Sequence, residues 1–194
     1  MCIRDRDIVT IDSIGSKDLD DALGFKDIND EETMVSIYIS NMGFWMEILD
    51  LWDSFADRIS TIYLPDRKRP MKPTKFSDYI CSLLEGQKRF AFTLDIMINR
   101  NSGEIISYEY CNSIIIVNKN LRHKTNELTL NPIYNELIHI SSKMNKNKIY
   151  LESVVNSHEV VSYFMVLMNY LTAIKMKEYK SGIYRFTKMN KGYD

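Results

Sequence analysis

Two runs rich in β-branched and aromatic residues, 89–99 and 104–117, lie on either side of Asn101-Ser102-Gly103. Ile, Val, Phe, Tyr and Thr at that density favour extended backbone, and an Asn-Ser-Gly joint suits a tight reversal. A long hairpin is therefore expected, and a hairpin by itself cannot bury its apolar face. Other strand signals precede it: a β-branched run at 8–11, a short return strand at 22–25 and an alternating stretch at 34–40. Over 45–59 apolar residues recur at three and four, which predicts one amphipathic helix with Trp45 and Trp52 packed in the core. Residues 63–73 hold three of the four prolines and read as an extended loop. Three helical stretches follow, over 119–128, 132–145 and 157–178, the second opened by Asn131-Pro132 as cap and first turn. The sum is an α+β fold, a mixed or antiparallel sheet with packed helices.

Composition narrows the class. With 45% hydrophobic and 26% charged residues, 7 Gly and 4 Pro in 194 residues, collagen-like, Pro-rich and disordered chains are excluded. There is room for one ordinary core or for part of a larger domain. The longest apolar stretch, 160–171, is about half the ~20 residues of a spanning helix and is broken by Ser162 and Asn169, so no membrane partner is expected. Cys2, Cys81 and Cys111 are odd in number and far apart. They suit a soluble protein of a reducing compartment, with Cys81 a small buried residue rather than a nucleophile. The net charge of −1 argues against a generally basic nucleic-acid grip. It hides a division: residues 1–118 carry 13 Lys+Arg against 20 Asp+Glu, residues 119–194 carry 12 against 6. That division suits metal carboxylates facing a polyanion and equally suits two solvated faces. Residues 1–6, MCIRDR, resemble a translated sequencing adapter and are set aside as a non-native extension. The end at Lys191-Gly192-Tyr193-Asp194 has no closing element, as expected of a fragment.

The chemistry is concentrated in Thr10-Ile11-Asp12-Ser13-Ile14-Gly15-Ser16-Lys17-Asp18-Leu19-Asp20-Asp21. Four carboxylates within ten residues repel one another unless cations neutralise them. Oxygen-only donors select hard ions such as Mg²⁺ or Mn²⁺. An EF-hand loop starting at Asp18 fails, because Leu23 and Asn29 stand where Gly and Glu are needed. A solvated acidic loop is the bland alternative. A strand just before the acids and Ala22-Leu23 just after them weigh against it, since both hold the cluster against a core.

This segment resembles the signature of the RNB (ribonuclease II/R) family of exoribonucleases, an Asp followed by three more at +6, +8 and +9. Asp12, Asp18, Asp20 and Asp21 match all four. A second block, Ser60-Thr61-Ile62-Tyr63-Leu64-Pro65-Asp66-Arg67, then Pro70-Met71, then Ser77-Asp78-Tyr79-Ile80-Cys81-Ser82-Leu83, is similar to the family's T-x-Y-L-P-D-R…P-M-L-P…L-S…L-C-S-L stretch. Ile183-Tyr184-Arg185 resembles a later Y-R element.

The resemblance implies residues 7–194 as part of an RNB catalytic domain, with its C-terminal part, a catalytic arginine and an S1 domain lying outside the chain. It implies a 3′→5′ hydrolytic exoribonuclease that degrades single-stranded RNA to nucleoside 5′-monophosphates by a two-metal mechanism, the ions about 3.5–4 Å apart. Asp12, Asp18 and Asp21 would be Mg²⁺ (or Mn²⁺) ligands, and Asp20 would complete the second metal site or orient the attacking water. Tyr63 would stack on a base near the RNA 3′ end. Arg67, Lys68 and Arg69, within a loop that also carries Lys72 and Lys75, would contact phosphates, as would Arg185. A cytoplasmic location follows, or a nuclear one for an exosome-type member. The isolated chain is expected to be weakly active or inactive. Three departures touch product length and sugar recognition. His123 stands where the family has Tyr, Ser162 and Tyr163 stand near a usual Glu pair, and Ile39-Ser40-Asn41 replaces I-A-D. The rival functions are a catalytically inactive RNB-like RNA-binding module and a metal-dependent phosphoesterase acting on small substrates.

Overall fold

The computed structural model describes residues 2–3, 6–55, 60–148 and 150–184. Seven strands form one mixed sheet: β1 (Cys2–Ile3), β2 (Ile8–Asp12), β3 (Asp21–Asp27), β4 (Glu32–Ser40), β7 (Lys88–Asn99), β8 (Ile105–Ile116) and β9 (Lys119–Arg122). Two further strands, β5 (Ile62–Tyr63) and β6 (Lys68–Arg69), make a separate ribbon. The sheet order is β1-β8-β7-β4-β3-β2-β9; the outer pairs β1/β8 and β2/β9 are parallel and the rest antiparallel. The expected hairpin is β7 and β8. In its turn, Asn99 Oδ1 accepts from the backbone N–H groups of Asn101 and Ser102 at 3.0 and 2.9 Å, and Gly103 takes φ +76°.

Alternation along the strands gives the sheet two buried faces. Val9, Ile11, Leu23, Val35, Ile37, Leu94, Ile96 and Leu121 face α3 (Asn126–Leu130), α4 (Pro132–Met144) and α5 (Ser157–Glu178), with Leu137, Phe164 and Leu167 filling the layer between. On the other face Ile8, Ala22, Tyr38, Ala91, Ile115 and Val117 pack with Leu19 and Leu83, which loops bring in. Arg6, inside the segment set aside above, reaches this second face: its Nη1 donates to Ser36 Oγ and to Asp95 Oδ1, both at 2.7 Å. Among the described residues no helix is long and apolar enough to cross a membrane.

Three elements differ from expectation. The helix expected over 45–59 is α1 (Met42–Ile48) and a short α2 (Trp52–Phe55), and residues 56–59 lie outside the described set. The break falls at Asp50, at φ +50°, with the Leu51 N–H bonded to the Met46 carbonyl at 2.9 Å. Asp is among the residues that enter the left-handed region most readily. Trp45 is half-buried and packs edge-on against Phe90 at 5.3 Å, and Trp52 stays half exposed and donates from Nε1 to Glu47, so neither tryptophan joins the buried core clusters as expected. The stretch 119–128 is not one helix. Lys119–Arg122 pairs in parallel with β2, because the β2 backbone would otherwise be an unpaired sheet edge, and α3 starts only at Asn126. Finally, the proline-rich loop contains the β5/β6 hairpin, closed by the Leu64 N–H on the Arg67 carbonyl at 2.8 Å with Pro65-Asp66 at the turn centre.

Candidate active site

The acidic residues sit at the ends of two neighbouring strands. Asp12 is the last residue of β2 and Asp21 the first of β3. The loop between them turns at Gly15, φ +87°, where the Ser16 N–H bonds the Ser13 carbonyl. It then returns with Leu19 buried in the second core and Asp18 and Asp20 on either side of it, lining a cleft. This placement depends on the second sequence block. Ser82 Oγ accepts from the Leu19 N–H at 3.1 Å and donates to the Lys17 carbonyl at 2.7 Å, and the Leu83 N–H bonds the Leu19 carbonyl at 2.8 Å. The end of β4 adds two bonds, Ser40 N–H to the Asp20 carbonyl at 2.8 Å and Ser40 Oγ to the Cys81 carbonyl at 2.6 Å. Two motifs about sixty residues apart are thus one hydrogen-bonded unit.

Electrostatics mark the acids. Asp21 has its pKa raised to about 6, first by burial and then by the charges of Asp12 and Asp20. Burial also raises Asp12, against a hydrogen bond from Thr10 and the charge of Arg122, while Asp20 and Asp18 add to the rise. Asp12 Oδ2 is buried without a hydrogen-bond partner. An orphaned carboxylate oxygen beside mutually repelling acids is a donor set suited to a hard dication. Among the described residues, however, no three His, Cys, Asp or Glu side chains already form a group able to hold a metal ion. The donor chemistry fits an ion; a ready-made cage is not assembled.

The cleft, about 260 Å³, is lined by Asp18, Asp20, Ser40, Thr61, Lys72 and Ser77 among others. Of the expected RNA contacts, Arg67 and Arg69 are exposed on and beside the β5/β6 turn, with Arg67 Nε 3.8 Å from Asp66. Tyr63 and Lys68 pair through their backbones in that ribbon, and their side chains lie outside the described set, as does Arg185 altogether. Cys81 is buried, its thiol pushed up to about 11 by desolvation, as expected of an inert residue.

One set of contacts beside the acids was not legible in the sequence. His123, whose N–H bonds the Asp12 carbonyl at 3.0 Å, stacks on His158 with ring centroids 3.7 Å apart, and its Nδ1 lies 2.7 Å from Ser157 Oγ. Burial, His158 and Lys124 lower its pKa. Thirty-five positions separate the two histidines, so only the docking of α5 beside β9 could join them.

The chain is similar in sequence and in fold to known proteins. Ribonuclease R of Ureaplasma parvum is 43% identical over 102 residues, which are 51% of this chain and 14% of that protein. The structure of Mycoplasma genitalium RNase R in complex with double-stranded RNA superposes with a TM-score of 0.78 at 21% identity, covering 93% of this chain and 38% of that one. Yeast Ssd1, described as a pseudonuclease, reaches a TM-score of 0.64 at 15% identity over 77% of this chain and 19% of its own. The chain therefore spans under a fifth of the length of the curated relative and under two fifths of the solved RNase R chain. The RNB domain family model matches residues 2–128, the stretch that holds all four aspartates and the block that pins them, and the chain belongs to the RNB domain family.

Proposed function

We propose that this chain carries the acidic half of the active site of a 3′→5′ exoribonuclease that hydrolyses single-stranded RNA to nucleoside 5′-monophosphates. One observation carries it: Ser82 and Leu83 clamp the Asp12–Asp21 loop so that Asp18 and Asp20 face a cleft while Asp12 and Asp21 stay partly buried behind them. Asp12, Asp18, Asp20 and Asp21 would hold Mg²⁺ or Mn²⁺, with the unpartnered Asp12 Oδ2 the strongest single argument for an ion. When bound, such ions supply Lewis acidity at the phosphodiester and ease ionisation of water. The chain's own share is positional. Asp20, the most exposed of the four, would accept a hydrogen bond from the attacking water and orient it. Asp12 and Asp21 are partly withdrawn from solvent, so their oxygens would meet an ion with less competing water. Tyr63, Arg67, Lys68, Arg69 and Arg185 would hold the RNA itself, the aromatic by stacking and the cations through phosphates.

The test is 5′-labelled single-stranded RNA with Mg²⁺ and the protein that carries this chain. Stepwise shortening from the 3′ end with nucleoside 5′-monophosphate release is expected. Asp20→Asn should abolish shortening while leaving RNA affinity within about twofold, as for a group acting on the transition state rather than on binding. Shortening by Asp20→Asn at the wild-type rate would overturn its role. The second function, an inactive RNA-binding module, draws on the similarity to a pseudonuclease; RNA binding without any shortening would put it first.

A further inference from the structure

Five cations crowd the segment 67–75, yet the fold does not treat them alike. Arg67 and Arg69 point into solvent around the β5/β6 turn, and Lys75 is exposed ahead of the π-helical turn Phe76–Ile80. Lys72 is different. It is half buried and lines the same cleft as Asp18 and Asp20, among Ser40, Thr61 and Ser77. Its ammonium is close enough to Asp20 and to Cys81 to feel both, while loss of hydration lowers its pKa.

Another cation, Arg122, lies near the acids, but it is committed. Arg122 Nη1 donates to the Ser13 carbonyl at 3.3 Å, and its charge falls on Asp12. Lys72 thus brings a positive charge into a cleft that also carries two carboxylates. A phosphodiester approaching Asp18 and Asp20 meets like charge unless a cation stands beside its path. A compact ammonium on a flexible stem suits a single phosphate oxygen.

We propose that Lys72 is a phosphate-binding residue inside the cleft, gripping the RNA backbone next to the reacting end. This deepens the exoribonuclease assignment and rests on it.

The experiment is fluorescence anisotropy of a labelled oligoadenylate with the full chain in EDTA, over a series of KCl concentrations, so that neither hydrolysis nor metal binding enters the readout. Lys72→Met should weaken binding roughly three- to tenfold at low salt and flatten log Kd against log[salt] by about 0.7, the share of one single-strand phosphate contact. Lys72→Arg should keep the wild-type slope. Lys26→Met, at an exposed position on β3 remote from the cleft, should change neither. Circular dichroism confirms that each variant is folded. Wild-type affinity and slope in Lys72→Met would overturn the proposal and leave the exoribonuclease assignment standing. Weaker binding with an unchanged slope would overturn it too, assigning the effect to cleft shape. A folded wild-type chain that binds no RNA would remove both.

Discussion

Asp21 shows how a single side chain couples chemistry to stability. Its pKa in the fold, about 6, lies above its ordinary value of 3.8, so the folded state binds that proton more tightly than the unfolded chain does. The stability it contributes is complete below pH about 4 and is lost as the pH rises through about 6. In metal-free protein Asp21→Asn should therefore gain on wild type between those limits, by at most about 3 kcal/mol, read from urea unfolding in EDTA at several pH values. A difference that stays flat with pH would show that Asp21 ionises as an ordinary carboxyl. The same burial that destabilises the bare carboxylate favours an ion that neutralises it. Asp12, with its orphaned oxygen, follows the same logic.

At the scale of elements, caps and turns decide where the helices and strands stop. Asn131 accepts from the Tyr134 N–H at 3.1 Å ahead of Pro132, as its sequence predicts, and α5 opens with a capping box in which Asn156 and Glu159 serve each other's backbone. Asn41, where the family pattern has Asp, caps α1 by accepting from the Phe44 N–H at 3.0 Å, a task Asn performs as well as Asp. Gly103 closes the β7/β8 hairpin at positive φ, and a Cβ there would lie 2.9 Å from the Lys143 backbone carbon of α4. Gly103→Ala combines left-handed strain with a backbone collision, and should cost more than about 1 kcal/mol in urea unfolding. An unchanged midpoint would mean that the turn and the end of α4 are not packed together. The split of α1 from α2 and the conversion of 119–122 to a strand have one cause in common. Local periodicity reports which residues are apolar but not which backbone groups a neighbouring element will claim.

For the molecule as a whole, the two faces of the sheet are held differently. The helical face is an apolar layer, whereas the second face combines a smaller apolar cluster with the buried Arg6–Asp95 pair, 2.7 Å long, whose side chains are 12% and 4% exposed. Removing one partner of such a pair leaves a buried charge without its counterion. Arg6→Met should therefore cost about 3–5 kcal/mol in urea unfolding, and a neutral result would show that the Arg6–Asp95 pair adds nothing to the fold. Much of the architecture was legible beforehand. Ile8–Asp12, the 34–40 strand and the long hairpin follow from β-branched content and alternation, which act within a few residues, and the Asp spacing singled out the acidic segment for the same reason. What the sequence could not determine is the set of contacts between distant segments: Leu19 on Ser82 and Leu83, Lys119–Arg122 beside Ile8–Asp12, His123 on His158, Lys72 facing Asp20. Each joins residues at least thirty-five positions apart, and burial and hydrogen-bond satisfaction choose such partners only once the whole chain has closed. The residue types at the site were determined locally; which of them share a cleft, and with what charge beside them, was decided by tertiary structure.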